Sequence, residues 1–186
     1  MFKLKRVSQK QILRIALGLL IFLIITLINN PTLNQILGIK STPTVSPNQI
    51  DESNVVVTKV IDGDTIEIEG GIKVRYIGID TPETVDPNRP IGCFGQEASN
   101  KNKELVLGKQ VRLEKDISNT DKYGRLLRYV YVGDIFVNEY LIKAGYAKVS
   151  TYPPDVKYQE LFLKSEQAAR NNNYGLWGLC PIPTTN

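Results

Sequence analysis

The chain has 186 residues, enough for one domain of ordinary size and an extension. Its 42% hydrophobic and 23% charged residues are typical of a folded protein. It contains no histidine and only two cysteines, which excludes histidine-based catalysis, histidine–zinc sites and a four-cysteine zinc site. Hydrolytic chemistry here must use carboxylates, arginines, lysines, tyrosines or a hard metal ion bound by oxygen.

The net charge of +4 belongs to the N-terminal part of the chain. The first 14 residues hold five basic residues and no acid, and the first acid is Asp51. From Asp51 onward there are 17 basic and 19 acidic residues, a net charge of −2. Bulk charge therefore does not favour a polyanionic partner, and such binding must depend on the placement of a few side chains.

The N-terminus is typical of a signal anchor or a signal peptide. Residues 15–28 are apolar except for Thr26 and follow the basic cluster. As a helix they span about 21 Å, less than the roughly 30 Å hydrocarbon core, but Ile12 and Leu13 can extend them. No small-residue cleavage site follows directly, so we favour an uncleaved anchor over a cleaved leader. A buried core helix would leave the basic flank unexplained. The positive-inside rule places the remainder outside the cytoplasm.

The rest of the chain divides into a linker and a domain. Residues 29–54, rich in Pro, Ser, Thr and Asn, predict a linker, and residues 55–186 a globular domain. Cys93 and Cys180 form no C-x-x-C motif. In an oxidising compartment such an isolated pair is a disulfide candidate, the alternative being two half-buried free thiols.

Within the globular part, alternating and β-branched residues predict five strands, with turns at Asp62-Gly63 and Gly70-Gly71. The predicted strands span 55–61, 65–69, 72–79, 110–114 and 126–132. The predicted helices span 96–107, 137–144 and 156–171. A three-stranded meander and a strand pair with interspersed helices favour an α+β fold built on a five-stranded OB-type barrel.

Three segments, 61–65, 74–84 and 120–125, collect acids, arginines and turn residues. Each alone is ordinary turn chemistry. Asp64 and Asp80, however, end neighbouring strands and can converge. Two carboxylates completed by a backbone carbonyl and water suit a hard cation such as Ca²⁺.

Two arginines and a third carboxylate can join the carboxylate pair. Glu83 can hold a water, and Arg125 can approach from another side after a glycine turn. Arg75 lies five residues before Asp80, so the two reach the same face only if the strand bends or bulges near Gly78. Phosphodiester hydrolysis needs such a set, because cations offset the growing charge on phosphorus and a carboxylate positions the nucleophile.

These segments resemble the thermonuclease (staphylococcal nuclease) family over about residues 53–178. The resemblance is carried by Val-Ile-Asp-Gly-Asp-Thr, Val-Arg-Tyr-Ile-Gly-Ile-Asp-Thr-Pro-Glu-Thr, Thr-Asp-Lys-Tyr-Gly-Arg, Val-Asn-Glu-Tyr-Leu-Ile-Lys-Ala-Gly-Tyr-Ala and Gly-Leu-Trp-Gly. It implies an OB-fold barrel with three helices and calcium-dependent cleavage of DNA and RNA. The implied cut is at the 5′-side P–O bond, which leaves 3′-phosphate ends.

The resemblance also implies roles for individual residues. Asp64 and Asp80 match the calcium carboxylates, and Thr81 gives a backbone carbonyl ligand. Asp62 would lie next to these ligands without binding the metal itself. Glu83 matches the residue that orients or deprotonates the attacking water.

The remaining matches concern the substrate. Arg75 and Arg125 match the arginines that bind the phosphate and stabilise the transition state. Lys122 and Tyr123 match residues near the terminal phosphate of a bound nucleotide. The family often has a tyrosine pair beside the base, and here only Tyr152 is available.

Other departures concern charge and covalent structure. The family's best-known secreted member is basic, whereas this domain has a net charge of −2, so we expect weaker, more salt-sensitive substrate binding here. That member also lacks the cysteine pair. The alternatives are a non-catalytic OB-fold nucleic-acid-binding module and an envelope structural or interaction protein. The complete set of acids and arginines favours the enzyme. We expect a monomer without an obligate protein partner, associated with the membrane through its N-terminal segment.

Overall fold

The computed structural model of the chain describes residues 51–84 and 90–181, with Lys10, 17–23 and Thr26 near the N-terminus. Residues 17–23 are helical. The rest of the predicted anchor and residues 29–50 of the predicted linker lie outside the described residues. None of the helices in the described part of the chain is both long and apolar enough to cross a bilayer. The anchor remains a prediction.

Five strands close into a barrel, as predicted. The strands are β1 Val55–Asp62, β2 Thr65–Ile68, β3 Ile72–Tyr76, β4 Gly78–Asp80, β5 Gln110–Glu114, β6 Leu126–Val132, β7 Ile135–Phe136 and β8 Lys148–Ser150. Antiparallel pairings join β1 to β2, β2 to β3, β1 to β5 and β5 to β6, and a parallel pairing of β3 with β6 closes the ring. Strand β7 extends β6, and β4 pairs with β8 in a separate two-stranded sheet.

The helices pack around the barrel and confirm the α+β class. They are α1 Gly95–Val106, α2 Val137–Lys143, α3 Gln159–Asn171 and a short α4 Leu176–Leu179, which the sequence did not predict. Helix α3 begins three residues later than predicted. The predicted first residues form a turn instead, in which the Gln159 N–H donates to the Val156 carbonyl at 3.1 Å.

The barrel interior is filled by the inward-facing residues of alternating strands, as the sequence pattern requires. On β3, Val74 and Tyr76 are buried, while Lys73 and Arg75 face outward. This alternation fixes which side chains of β3 can contribute to a site on the outer face of the barrel.

The predicted strand 72–79 is two strands that are separated at Ile77. Gly78 has a φ of +79°, a left-handed conformation that favours glycine. The carbonyl of Ile77 accepts a hydrogen bond from Nδ2 of the buried Asn138 at 2.9 Å, and its N–H donates to the Arg128 carbonyl at 3.0 Å. The break turns the chain away from the barrel and lets β4 pair with β8. The predicted bend near Gly78 is confirmed.

The described end of the predicted linker packs on the barrel. The Leu113 N–H donates to the Glu52 carbonyl at 2.7 Å. The Glu52 carboxylate accepts from Arg128 Nε at 2.9 Å and from Nη2 at 2.6 Å, and the Arg128 side chain is only 1% exposed. A bidentate pair on a buried guanidinium ties this segment to β6.

Cys93 and Cys180 form a disulfide, which confirms the predicted pair over the free-thiol alternative. The bond joins the segment before α1 to the end of α4. That segment also contacts residues 82–84, since the Gly92 N–H donates to the Glu83 carbonyl at 2.8 Å. Closing a loop with a sequence separation of 87 restricts the unfolded chain and so stabilises the fold.

Replacing Gly78 by alanine tests the strand break. A Cβ atom there would lie 2.6 Å from Phe162 Cε2, in addition to the cost of the positive φ. We expect Gly78→Ala to lower the free energy of unfolding by about 3 kcal/mol in urea titrations. The matched control is Gly133→Ala, where φ is +54° and a Cβ meets nothing within 4 Å. The control should cost about 1 kcal/mol, and equal losses in the two variants would contradict the packing argument.

Candidate active site

The carboxylate of Asp64 is fixed in the turn between β1 and β2. Its Oδ2 accepts hydrogen bonds from the Thr81 N–H at 2.9 Å and the Thr81 hydroxyl at 3.1 Å. Its Oδ1 accepts from the Thr65 hydroxyl at 3.1 Å. Burial raises the pKa of this carboxyl, while the nearby Arg75 and the Thr81 N–H oppose the rise. The side chain is therefore held in one orientation.

One guanidinium joins the two predicted metal carboxylates. Arg75 Nη1 lies 2.9 Å from Asp64 Oδ2, and Nη2 lies 3.0 Å from Asp80 Oδ1. The Asp64 side chain is 6% exposed and that of Asp80 is 62% exposed. The Asp64 carboxylate is thus buried and the Asp80 carboxylate is open to solvent, and both contact Arg75.

Asp62 connects the turn to the segment that carries Glu83. Its Oδ1 accepts from the Gly63 N–H at 2.6 Å and from the Thr84 hydroxyl at 2.8 Å. Burial raises the pKa of Asp62, and these two hydrogen bonds oppose the rise. The Glu83 carboxylate accepts from the Thr84 N–H at 2.9 Å. Thr84 therefore positions both acids.

Asn102 supports the same turn from helix α1. Its Nδ2 donates to the Asp62 carbonyl at 3.1 Å, and its Oδ1 accepts from the Tyr76 hydroxyl at 2.9 Å. The side chain is fully buried. Sequence patterns alone did not predict the role of Asn102. The available signal was an asparagine on the inward face of a helix, which needs hydrogen-bond partners wherever it is buried.

Arg125 is held by an acid in its own turn. Asp121 Oδ1 accepts from the Tyr123 and Arg125 N–H groups at 2.9 and 3.0 Å, and Oδ2 accepts from Arg125 Nε at 2.6 Å. Burial acts to raise the pKa of Asp121, but the hydrogen bonds from Arg125 and the turn outweigh it and lower that pKa. The role of Asp121 was also missed, although an aspartate opening a tight turn is a recognisable signal.

Two neighbouring clefts contain all the predicted catalytic, metal and substrate-binding residues. The first, here called the acidic cleft, has a volume of about 350 Å³ and is lined by Ile61, Asp62, Asp64, Thr65, Lys73, Arg75, Asp80, Thr81, Glu83 and Arg125. The second, the aromatic cleft, has a volume of about 670 Å³ and includes Arg75, Lys122, Tyr123, Arg125 and Tyr152 in its lining. Both clefts share Arg75 and Arg125, so the arginines lie where the clefts meet.

The donors in the acidic cleft suit a hard cation, because they are all oxygens. Asp64 and Asp80 converge within hydrogen-bond distance of the same guanidinium. Across residues 51–84 and 90–181, no three acids form a cluster that can hold a metal ion by themselves. A cation here therefore needs further oxygens, and the Thr81 carbonyl and water are the candidates.

Comparison with known proteins supports the family resemblance. A family model described as "Staphylococcal nuclease homologue" matches residues 73–178. A thermonuclease of Staphylococcus intermedius is 42% identical over 135 residues, covering 71% of this chain and 80% of that protein. A thermonuclease of Staphylococcus hyicus is 42% identical over 130 residues, covering 68% and 77%. Endonuclease YncB of Bacillus subtilis (strain 168) is 45% identical over 137 residues, covering 71% and 65%.

The fold and the site define an OB-type barrel protein with carboxylates and arginines gathered on its outer face. With more than half of its residues matched by the family model, the chain belongs to the staphylococcal nuclease homologue family. The roles of the individual residues remain predictions.

The ion pair between Asp121 and Arg125 makes stability depend on pH. Because folding lowers the pKa of Asp121 below its ordinary 3.8, its stabilising effect is full above that value and is lost as the pH falls through the folded pKa. We expect Asp121→Asn to lower the free energy of unfolding at pH 7 by about 1–2 kcal/mol, and this deficit should become smaller as the pH falls below 3.8. Urea titrations at pH 7 and pH 3 measure both differences.

The matched control is Asp134→Asn, which removes an exposed acid from another turn. It should change neither value measurably. A deficit for Asp121→Asn that is as large at pH 3 as at pH 7 would show that charge pairing does not stabilise this turn.

Proposed function

We propose that the protein is a calcium-dependent endonuclease that hydrolyses phosphodiester bonds of DNA and RNA and leaves 3′-phosphate ends. The observation that carries this proposal is the convergence of Asp64, Asp80, Arg75, Glu83 and Arg125 on one cleft. Family membership supports the class of enzyme, a hydrolase of phosphodiester bonds, and relatives are thermonucleases and endonucleases.

Asp64, Asp80 and the carbonyl of Thr81 would hold the calcium ion, with water completing its shell. When bound, the ion would supply positive charge that offsets the charge developing on the phosphate. The chain's own contribution is to fix the donors. Thr81 does so by donating two hydrogen bonds to the buried Asp64, while Asp80 remains open to solvent.

Glu83 is proposed to orient the attacking water and accept its proton. It lines the acidic cleft with the two metal carboxylates, and the Thr84 N–H holds one of its oxygens at 2.9 Å. A carboxylate in this position can hold a water by hydrogen bonding and remove its proton as attack proceeds.

Arg75 and Arg125 are proposed to bind the scissile phosphate and stabilise its transition state. They approach from different elements, β3 and the turn after Thr120, and both line the two clefts. Asp121 accepts a hydrogen bond from Nε of Arg125, and the Nη atoms of this arginine donate no hydrogen bond to another described residue. Those atoms are suited to a bidentate contact with phosphate oxygens.

The aromatic cleft is proposed to take the nucleotide. Lys122 and Tyr123 would lie near its terminal phosphate, and Tyr152 would stack on its base. Tyr123 is 71% and Tyr152 73% exposed, so both rings offer a face to a ligand. Stacking of this kind tolerates any base, which suits an enzyme that cleaves without strict sequence preference.

We further propose an extracytoplasmic location. The protein would be a monomer anchored by its uncleaved N-terminal segment or, as the alternative, secreted after cleavage. The basic flank and apolar run of residues 1–28 support this, and so does the disulfide, which is typical of oxidising compartments.

Glu83→Gln tests the proposed function. Because glutamine keeps the size of the side chain but cannot take a proton, we expect turnover to fall by about 10³-fold while binding of a single-stranded oligonucleotide stays within about twofold. Initial rates of DNA cleavage in calcium and fluorescence anisotropy provide the two measurements.

The matched control is Glu97→Gln, an exposed position in the first turn of α1. It should leave both values unchanged. Full activity in Glu83→Gln would rule out the assigned role. Oligonucleotide binding without cleavage by the unmodified chain would instead favour the non-catalytic binding module.

A further inference from the structure

Lys73 is a cation on the outer face of the barrel that neither the proposed mechanism nor the family resemblance uses. It lies two residues before Arg75 on β3, between Ile72 at the start of the strand and the buried Val74. Side chains two apart on a strand share a face, so Lys73 and Arg75 project to the same side. Both line the acidic cleft.

The ammonium group of Lys73 has no ion-pair partner among the described residues, and its side chain is exposed. Its neighbour across the sheet is Glu67, by the register of β2 and β3, but the two carry no ion pair. The other two cations that line the acidic cleft differ in this respect. Arg75 bonds to Asp64 and Asp80, and Arg125 bonds to Asp121.

The negative charge of the acidic cleft makes the positive charge of Lys73 important for binding a polyanion. Four carboxylates line this cleft, those of Asp62, Asp64, Asp80 and Glu83, and they repel a polyanion. The domain as a whole carries a net charge of −2 from Asp51 onward, so no general positive field compensates. An extended nucleic-acid strand needs local cations wherever its phosphates pass such a cleft.

The arrangement of the clefts gives the direction of the strand. Arg75 and Arg125 lie where the clefts meet, with Tyr123 and Tyr152 in the aromatic cleft and Lys73 in the acidic one. A phosphate at the arginines with its nucleotide in the aromatic cleft directs the other side of the strand through the acidic cleft. The flexible four-carbon stem of lysine lets its charge reach a phosphate there.

We propose that Lys73 forms a backbone subsite that binds a phosphodiester of single-stranded nucleic acid on the side of the scissile phosphate opposite the aromatic cleft. The inference rests on the proposed function, since it takes the strand to occupy both clefts. Lys73 contributes charge but no base contact, so its effect is independent of sequence. It distinguishes an extended strand from a single nucleotide, which reaches only the arginines and the aromatic cleft.

Oligonucleotide binding by Lys73→Gln tests this subsite in the Glu83→Gln form of the full chain, so that cleavage does not interfere. We expect affinity for a short single-stranded DNA oligonucleotide to fall about three- to tenfold at low salt. The slope of log Kd against log salt concentration should decrease by about 0.7, the value for one lost phosphate contact on a single strand. Fluorescence anisotropy over a salt series measures both effects.

Three controls separate the subsite from a general charge effect. Lys103→Gln removes the same charge from the exposed face of α1, away from both clefts, and should change neither value. Lys73→Arg keeps the charge and should retain most of the affinity. Under the proposal a nucleoside 3′,5′-bisphosphate occupies only the arginines and the aromatic cleft, so it should bind the parent and Lys73→Gln forms equally.

Equal oligonucleotide affinity and salt slope for the parent and Lys73→Gln would overturn the subsite, as would an equal loss in Lys103→Gln. An equal loss of bisphosphate binding would overturn its placement beyond the scissile phosphate. Failure of the proposed function has a different signature, namely no calcium-dependent cleavage by the chain with Glu83 intact. Lys73-dependent binding without cleavage would support the subsite and contradict the nuclease.

Discussion

The two ion pairs of Arg75 are the constraint on which the site depends. A single guanidinium holds Asp64 at 2.9 Å and Asp80 at 3.0 Å, although Asp64 lies in the turn between β1 and β2 and Asp80 is the last residue of β4. Arg75 and Asp80 can meet only because the chain breaks at Ile77 and turns at Gly78, where φ is +79°. Carboxylates brought this close repel each other, and a shared cation between them offsets that repulsion. The backbone conformation at Ile77 and Gly78 therefore determines which charges meet in the site.

Hydrogen bonds from the surrounding fold keep this arrangement rigid. Thr81 orients Asp64, and Thr84 joins Asp62 to the segment of Glu83. Asn102, on α1, bonds to the Asp62 carbonyl and to the Tyr76 hydroxyl. Burying Asp64 costs solvation free energy, and the two hydrogen bonds from Thr81 together with the ion pair to Arg75 compensate for it. The disulfide contributes at longer range, because it fixes the segment whose backbone bonds to residue 83. Such a preorganised set of charges is suited to stabilising a charged transition state.

Local patterns in the sequence predicted the parts of this structure that local physics controls. Alternation of apolar and polar residues predicted the five barrel strands, and turn residues predicted the hairpins. The bend at Gly78 was predicted because Arg75 and Asp80 could not otherwise reach the same face. Contacts between distant residues were not predictable in this way. Glu52 meets Arg128 over a separation of 76 residues, and Asn102 meets Asp62 over 40. The pairing of β4 with β8 and the joining of two clefts at the arginines depend on such contacts, so they required the folded structure.

DNA hydrolysis by the 186-residue chain, measured in calcium and in EDTA, tests the proposed nuclease activity directly. The Arg125→Ala variant is assayed under the same conditions. Arg112→Ala is the matched control, because Arg112 pairs with Glu114 and lies outside both clefts. We expect cleavage of single-stranded DNA that needs calcium, disappears in EDTA, falls at least about 10²-fold in Arg125→Ala and persists in Arg112→Ala. Absence of cleavage by the folded chain in calcium, or full activity in EDTA or in Arg125→Ala, would contradict this expectation.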